Sequence, residues 1–150
     1  MRETLLVLHI IGVATWLGAD LVQLTFNRRL TAMGGQPAAL WVNTTAVAFA
    51  RVLYIPSGLL ILVTGILMVV NSDVYEFDNI FVGIGIAVVV LGAILGVVVF
   101  GRRGERAAQA FAEGEDAEGR SIMTKMTPFG VLDAALVVFA IVAMVGRWGA

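Results

Sequence analysis

The sequence contains no cysteine, only three prolines, one histidine and few charged residues. The lack of cysteine excludes disulfide bonds, thiolate metal sites, cysteine-ligated iron–sulfur clusters and haem attached through a Cys-x-x-Cys-His motif. Charged residues make up 14% of the chain, against roughly 25% in a typical soluble domain. The formal net charge of −1 supplies no basic surface of the kind that binds nucleic acid.

Apolar residues dominate instead, at 59% of the chain with a mean hydropathy of +0.93. They form four continuous runs, which are Leu5–Phe26, Val52–Val70, Ile80–Phe100 and Pro128–Gly146. Each run is close to the ~20 residues that cross a bilayer, and continuous runs favour helices over alternating barrel strands. We therefore predict one all-α domain, an up-down bundle of four transmembrane helices. The basic and acidic blocks within the connector 101–126 predict a short helix and a mobile hairpin.

The second apolar run is preceded by a segment that also has helical composition. Residues 38–70 together are too long for a single span, so we expect the first part to extend into the cytosol or along the surface. Trp41 and Tyr54 suit an interfacial belt there. Pro56 is expected to kink this helix.

The basic residues predict the orientation of the bundle. Eight lie on the side of the first loop, namely Arg28, Arg29, Arg51, Arg102, Arg103, Arg106, Arg120 and Lys125, and two, Arg2 and Arg147, lie on the other. Since cytoplasmic loops are enriched in Lys and Arg, the first loop is predicted to be cytoplasmic and both termini outside. This distribution indicates a multi-pass protein of the cytoplasmic membrane.

The first run carries polar residues on one side only. At ~100° per residue, His9, Trp16, Asp20 and Gln23 fall within a narrow arc of a helix. A helix face turned toward lipid would not collect such residues. We therefore predict that this polar face of the first helix, which we call the polar seam, points into the bundle.

Charged residues inside a bilayer need partners or water, and three of them fall in the cytosolic half. We expect Arg51 to be shared by Asp20 and Asp133, with Gln23 completing its hydrogen bonds. Two carboxylates beside one guanidinium leave an excess negative charge, which favours protonation of one aspartate. The cluster could pin three helices together or relay protons or cations, or Asp133 could instead face a cytosolic vestibule unpaired.

His9, Met68 and Met144 are predicted at a similar depth in the outer half. A histidine with one or two thioethers could hold Cu(I) or a haem iron. The alternative is that His9 donates to a carbonyl of a neighbouring helix while both methionines pack. Trp16 falls near mid-bilayer and needs an acceptor for its indole N–H, for which Asp20 is the candidate. It could line a porphyrin pocket or pack in the core.

The third run has no polar side chain between residues 80 and 100. Its Gly92-x-x-x-Gly96 pattern predicts a face for close helix packing, either within the chain or between subunits.

Two short motifs resemble known membrane proteins. Leu8-His9-Ile10-Ile11-Gly12 with Trp16-Leu17-Gly18, and Thr64-Gly65-Ile66-Leu67-Met68, are similar to segments of three groups. These are an uncharacterised family of small four-helix bacterial membrane proteins, the membrane domain of copper-resistance protein D, and the membrane-embedded protoporphyrinogen oxidase. The resemblance implies a four-helix core in which His9 ligates haem or metal. The third run lacks the lysine of the porphyrin oxidase, so the uncharacterised family is the nearest match.

Three functions follow as hypotheses. The first is a non-enzymatic structural or accessory role with an internal Asp/Arg cluster. The second is binding of haem b, a porphyrin or copper through His9, and the third is a small proton or cation pathway. The expected partners are the lipid bilayer and either a second copy of the chain or a larger membrane complex, with no nucleic acid.

Overall fold

The computed structural model describes residues 2–149, which form four long helices. These are Arg2–Ala32 (α1), Gly35–Val70 (α2), Ile80–Ala112 (α3) and Asp116–Val145 (α4). All four are long and apolar enough to cross a membrane, and the described residues contain no β-strand. Large apolar side chains cover the outward faces, as lipid-exposed faces require. The predicted all-α, four-helix architecture is confirmed, and it fits an integral membrane protein.

The two ends of the bundle differ. One end holds the tight turns at 33–34 and 113–115, and we call it the turn end. There the carboxylate of Asp116 accepts a hydrogen bond from the backbone N–H of Gly35, at 2.8 Å. The other end, the terminal end, holds both ends of the described chain and the loop 71–79. Its parts are joined where the backbone N–H of Phe81 donates to the carbonyl of Trp148 and where Arg2 stacks on Tyr75.

The helices extend well past the predicted spans at the turn end. They contain 30 to 36 residues, which is roughly 45–54 Å at ~1.5 Å per residue, against ~30 Å of hydrocarbon. α2 begins at Gly35, and Pro128 lies inside α4. Of the short helix and mobile hairpin predicted within 101–126, the helical segment is present at Arg102–Ala112, whereas the hairpin is wrong because the residues from Asp116 onward are helical. α3 continues to Ala112, and only residues 113–115 separate it from α4.

A second core explains why the hydrophilic segment is helical. Small and apolar residues of Arg102–Ala112 face inward, where Phe111 is fully buried. They pack against α2 and α4, and this turn-end core consists of Ala38, Ala39, Val42, Val99, Ala107, Phe111, Met123 and Met126. The charged residues of the segment stay on its exposed face. A separate core among the apolar spans consists of Trp16, Ile61, Val88, Val137 and Ala140.

Between these cores, α2 and α3 leave regular α-helical geometry. π-helical turns occupy Thr44–Ala48, Ala50–Tyr54 and Gly96–Gly101. Pro56 lies two residues after the end of the second of these turns and has no N–H to offer the carbonyl four residues earlier. π-Helical turns thus precede Pro56, and the kink predicted at this proline stays a prediction.

The spacing between α2 and α3 changes along the bundle. At the turn end the two helices pack closely, whereas at the terminal end they touch little. α1 packs along α2 and α4 throughout its apolar length. The result is a lateral opening between α2 and α3 at the terminal end.

Candidate functional site

The polar seam of α1 faces the interior of the bundle. His9, Trp16 and Asp20 are buried, and Gln23 and Asn27 are half-buried on the same face. Asn27 accepts a hydrogen bond from the indole N–H of Trp41 at 2.7 Å. The seam therefore runs from the terminal end to the turn end as a line of polar groups, each of them in contact with α2 or α4.

Trp16 is the point where all four helices meet. Its indole N–H donates to Oδ2 of Asp133 on α4, at 3.0 Å. The ring lies against Gly58 of α2 and Gly92 of α3, where a Cβ atom on either glycine would overlap it. The expected acceptor, Asp20 one turn along α1, is not the one used. The indole ring is oriented so that its N–H points toward α4 rather than toward Asp20.

Asp20 is held by a hydroxyl rather than by a cation. The phenol of Tyr54 donates to Oδ1 of Asp20 at 2.7 Å and accepts from the amide of Gln23 at 2.6 Å. The Tyr54 ring also meets Trp16 edge to face, with centroids 5.8 Å apart. Trp16, Tyr54 and the two aspartates thus form one connected group, which we call the Asp20–Asp133 layer.

Arg51 does not join this layer, which corrects the predicted cluster. Its side chain is exposed, and the one ion pair among residues 2–149 joins Arg120 to Asp116 at the surface, at 3.8 Å. A long arginine side chain can extend toward the interface, whereas burying it would add the desolvation of a third charge. The neutral phenol of Tyr54, one turn along α2, supplies the hydrogen bond at lower cost.

Two buried carboxylate oxygens have no partner. Oδ2 of Asp20 and Oδ1 of Asp133 are enclosed and accept no hydrogen bond from the described residues. The two side chains are 5% and 4% exposed, and they lie within electrostatic reach of each other. A charged aspartate at such a depth costs at least ~2.5–3.5 kcal/mol on insertion scales. The layer therefore lacks the positive charge that two ionised carboxylates would need.

Of the two glycines in the Gly92-x-x-x-Gly96 pattern, only Gly92 packs closely against another helix within the chain. Gly92 is buried against Trp16, and its missing Cβ also leaves room for Oδ1 of Asp133. Gly96 is exposed, and a Cβ there would meet nothing within 4 Å. Gly96 therefore makes no close contact within the chain, and its packing between subunits stays a prediction.

A cavity of about 520 Å³ occupies the opening between α2 and α3 at the terminal end. Its walls are mostly apolar, with His9 on its deep side and Arg2, Glu3 and Arg147 among the residues that line it. Met68 and Met144 both line this cavity. The three residues predicted as a ligand set therefore line the same cavity, whereas Trp16 does not.

The hydrogen bonds of His9 determine which ring nitrogen is free. Nδ1 lies 3.0 Å from the hydroxyl oxygen of Thr64, and that hydroxyl donates its own hydrogen to the carbonyl of Leu60. We assign the hydroxyl hydrogen of Thr64 to this carbonyl, and with that assignment Thr64 accepts from Nδ1, which carries the proton. Nε2 has no hydrogen-bond partner among residues 2–149, and the His9 side chain lines the cavity.

A smaller pocket of about 30 Å³ lies between His9 and Trp16, toward the Asp20–Asp133 layer. It is otherwise lined by apolar side chains and Gly85, which offer water few hydrogen-bond partners.

Sequence reasoning missed two residues of these sites. Tyr54 was predicted to lie in an interfacial belt, and Thr64 was noted only as part of a short motif. Both belong to a line of polar, small and apolar residues on α2 at helical spacing, which is Tyr54, Gly58, Ile61, Thr64, Gly65 and Met68. That spacing is the signal that could have predicted the surface packed against α1.

Comparison with known proteins finds no match: no family model, curated protein or solved structure is significantly similar to this chain. Among residues 2–149, no three His, Cys, Asp or Glu side chains converge in a way that could hold a metal ion. The function is therefore inferred from the geometry of the cavity and of the layer.

Proposed function

We propose that this is an integral membrane protein that binds an amphiphilic, anionic small molecule in the cavity beside His9, with no reaction of its own. The observation that carries the proposal is the free Nε2 of His9 on the wall of a cavity of about 520 Å³. Ligand cavities are typically ~300–1,000 Å³, mostly apolar, with a few convergent polar groups.

The charges around the cavity favour an anionic ligand. Arg2 and Arg147 both line it, against the single carboxylate of Glu3. Arg2 is held over the ring of Tyr75, at 5.2 Å from its centroid. A ligand with an apolar body and carboxylates at one edge would place its body between α2 and α3 and its carboxylates at these arginines.

Haem b and other porphyrins have this shape, and His9 would supply the group that binds an iron. A histidine that ligates a metal usually donates its other ring N–H to a fixed acceptor, and Thr64 accepts from Nδ1 in this way. The resemblance of the first helix to haem and copper membrane proteins points in the same direction. Copper(I) is the second candidate, because the thioethers of Met68 and Met144 line the same cavity as His9.

An absorption spectrum and metal analysis of the purified protein test this function. A haem protein shows a Soret band, or gains one on titration with haemin, and the band is lost in His9→Ala. Thr64→Val should weaken haemin binding by about 10–100-fold, as loss of such a supporting acceptor does elsewhere. Ile10→Ala is the matched control, since Ile10 adjoins His9 but is exposed on the opposite face.

Other results would separate the candidates. Copper in the purified protein, lost in Met68→Leu or Met144→Leu, would favour the copper site over haem. A folded wild-type protein that is colourless, free of metal and unable to bind haemin or a metal-free porphyrin would overturn the proposal. A structural or accessory role alone would then remain.

We further propose that the turn end faces the cytoplasm, with both chain termini outside. The excess of basic residues at the turn end supports this orientation and a cytoplasmic membrane location. A second copy of the chain or a larger membrane complex would cover part of the apolar outer surface. That the protein is related to the small four-helix bacterial membrane proteins is likewise a proposal, supported only by the two short motifs of its first two helices.

A further inference from the structure

The Asp20–Asp133 layer contains two carboxyl groups that the proposed ligand cavity does not use. Each side chain is more than nine-tenths buried, and each keeps one oxygen without a partner among the described residues. Oδ1 of Asp20 accepts from Tyr54, and Oδ2 of Asp133 accepts from Trp16. Both donors are neutral, so neither compensates a negative charge.

No basic side chain reaches the layer from any helix packed against it. α1 contributes Asp20, and α2 contributes Tyr54, while its Arg51 is exposed. α3 presents Gly92, and α4 presents Asp133. Ionised carboxylates in so enclosed a place would have neither water nor a counter-charge.

We propose that Asp20 and Asp133 form a proton-binding site inside the bundle, which exchanges its protons with water at the turn end. The protons are taken up at Oδ2 of Asp20 and Oδ1 of Asp133, the two unpartnered oxygens. This site is separate from the His9 cavity, so the failure of one proposal leaves the other standing.

The route of exchange follows from the polar contacts. Tyr54 donates to Asp20 and accepts from Gln23, which continues the seam toward the turn end. Gln23 and Tyr54 are half-buried, and Asn27 lies one turn farther, next to the exposed Arg28. On this side, polar groups rather than apolar side chains separate Asp20 from water at the turn end, and the proposed exchange takes place there.

The other side of the layer is apolar. Between Trp16 and His9 lies the pocket of about 30 Å³, whose lining gives water few hydrogen-bond partners. His9, whose Nδ1 is bonded to Thr64, lies beyond this apolar lining and the Trp16 ring. Polar groups continue from the carboxyl groups on the turn-end side, so the proposed exchange is assigned to that face of the membrane.

Labelling with dicyclohexylcarbodiimide tests the site in the full chain, because this apolar reagent modifies protonated carboxyl groups in apolar surroundings. Mass spectrometry of the wild-type protein should find the label on Asp20, Asp133 or both, and labelling should fall as the pH is raised. Glu113, exposed in the turn 113–115, serves as the carboxylate that should stay unlabelled under the same conditions. Asp20→Asn and Asp133→Asn should each lose the label at their own position.

Infrared difference spectra of the wild-type protein supply a second measurement that needs no variant. The carbonyl band of a protonated carboxyl group should decrease as the pH is raised. The chain has no cysteine, so Glu113→Cys carries a unique thiol that reports the orientation of the turn end in liposomes. Modification of the two aspartates by the carbodiimide should then depend on the pH on the side of the membrane that the turn end faces. It should not depend on the pH on the opposite side.

Three outcomes would overturn the proposal. The first is a folded wild-type protein that shows neither label nor band at any pH. The second is labelling that does not change with pH, which would mean that the protons do not exchange. The third is that sodium chloride, but not choline chloride, protects Asp20 and Asp133 from the carbodiimide label. That result would mean that the layer binds a metal cation instead of a proton.

Discussion

Replacing Gly92 with alanine should destabilise the bundle because it removes the space that Trp16 fills. A Cβ at this position would overlap the indole ring and would lie 3.1 Å from Oδ1 of Asp133. The ring cannot move away freely, since its other edge lies 2.9 Å from the Cβ position of Gly58. Its N–H is also fixed by the bond to Asp133.

The magnitude follows from two opposing effects. Overpacking of a filled site costs about 1–3 kcal/mol, whereas replacing glycine by alanine in a helix gains up to about 1 kcal/mol. Gly96→Ala is the matched control on the same helix, because its Cβ would meet nothing within 4 Å. Gly96 begins a π-helical turn, so its helix gain is no larger than that at Gly92, and Gly92→Ala should be less stable than Gly96→Ala by up to about 3 kcal/mol.

The free energy of unfolding can be measured in mixed micelles by titration with dodecyl sulfate, followed by circular dichroism. A double-mutant cycle with Trp16→Ala identifies the cause, since Gly92→Ala should cost little once the ring is absent. If Gly92→Ala and Gly96→Ala were equally stable, or if the cycle showed no coupling, the described contact between Trp16 and α3 would be refuted.

The remaining predictions concern single contacts, each measured by the same unfolding titration. Asp116→Ala removes the carboxylate that accepts a hydrogen bond from the first N–H of α2, and it should lower the free energy of unfolding by about 0.5–2 kcal/mol. The control Glu118→Ala changes an exposed residue of the same helix and should have little effect. Equal losses of stability in the two variants would contradict the capping role of Asp116. Phe111→Ala empties a fully buried site of the turn-end core and should cost about 3–5 kcal/mol, whereas a negligible loss would mean that this core does not form. Tyr54→Phe leaves Asp20 without its one hydrogen bond and should cost about 1–3 kcal/mol, and an unchanged stability would exclude that bond.

The architecture could be predicted because membrane insertion imposes simple rules on a sequence. Four apolar runs of spanning length required four helices, and the spacing of His9, Trp16 and Asp20 indicated which face of α1 is buried. The full helix lengths could not be read from hydropathy. The turn-end core is amphipathic rather than continuously apolar, so its residues, such as Phe111, looked like part of a hydrophilic connector.

The partners within the layer depended on contacts between distant parts of the chain. The acceptor for Trp16 is Asp133, 117 residues away, although Asp20 is only one turn along the same helix. Arg51 was the expected partner of the aspartates because an intramembrane charge needs compensation. It is exposed instead, and the phenol of Tyr54 takes the place beside Asp20.

What the sequence by itself determined is a membrane-embedded four-helix chain with a polar face on its first helix, since length, hydropathy and helical period are local properties. Only the tertiary structure decided which side chains meet on that face and where space remains. It opened the cavity beside His9 and left two carboxyl oxygens without partners. Those features depend on how four helices approach one another, at glycines such as Gly58 and Gly92, and no single segment carries that information.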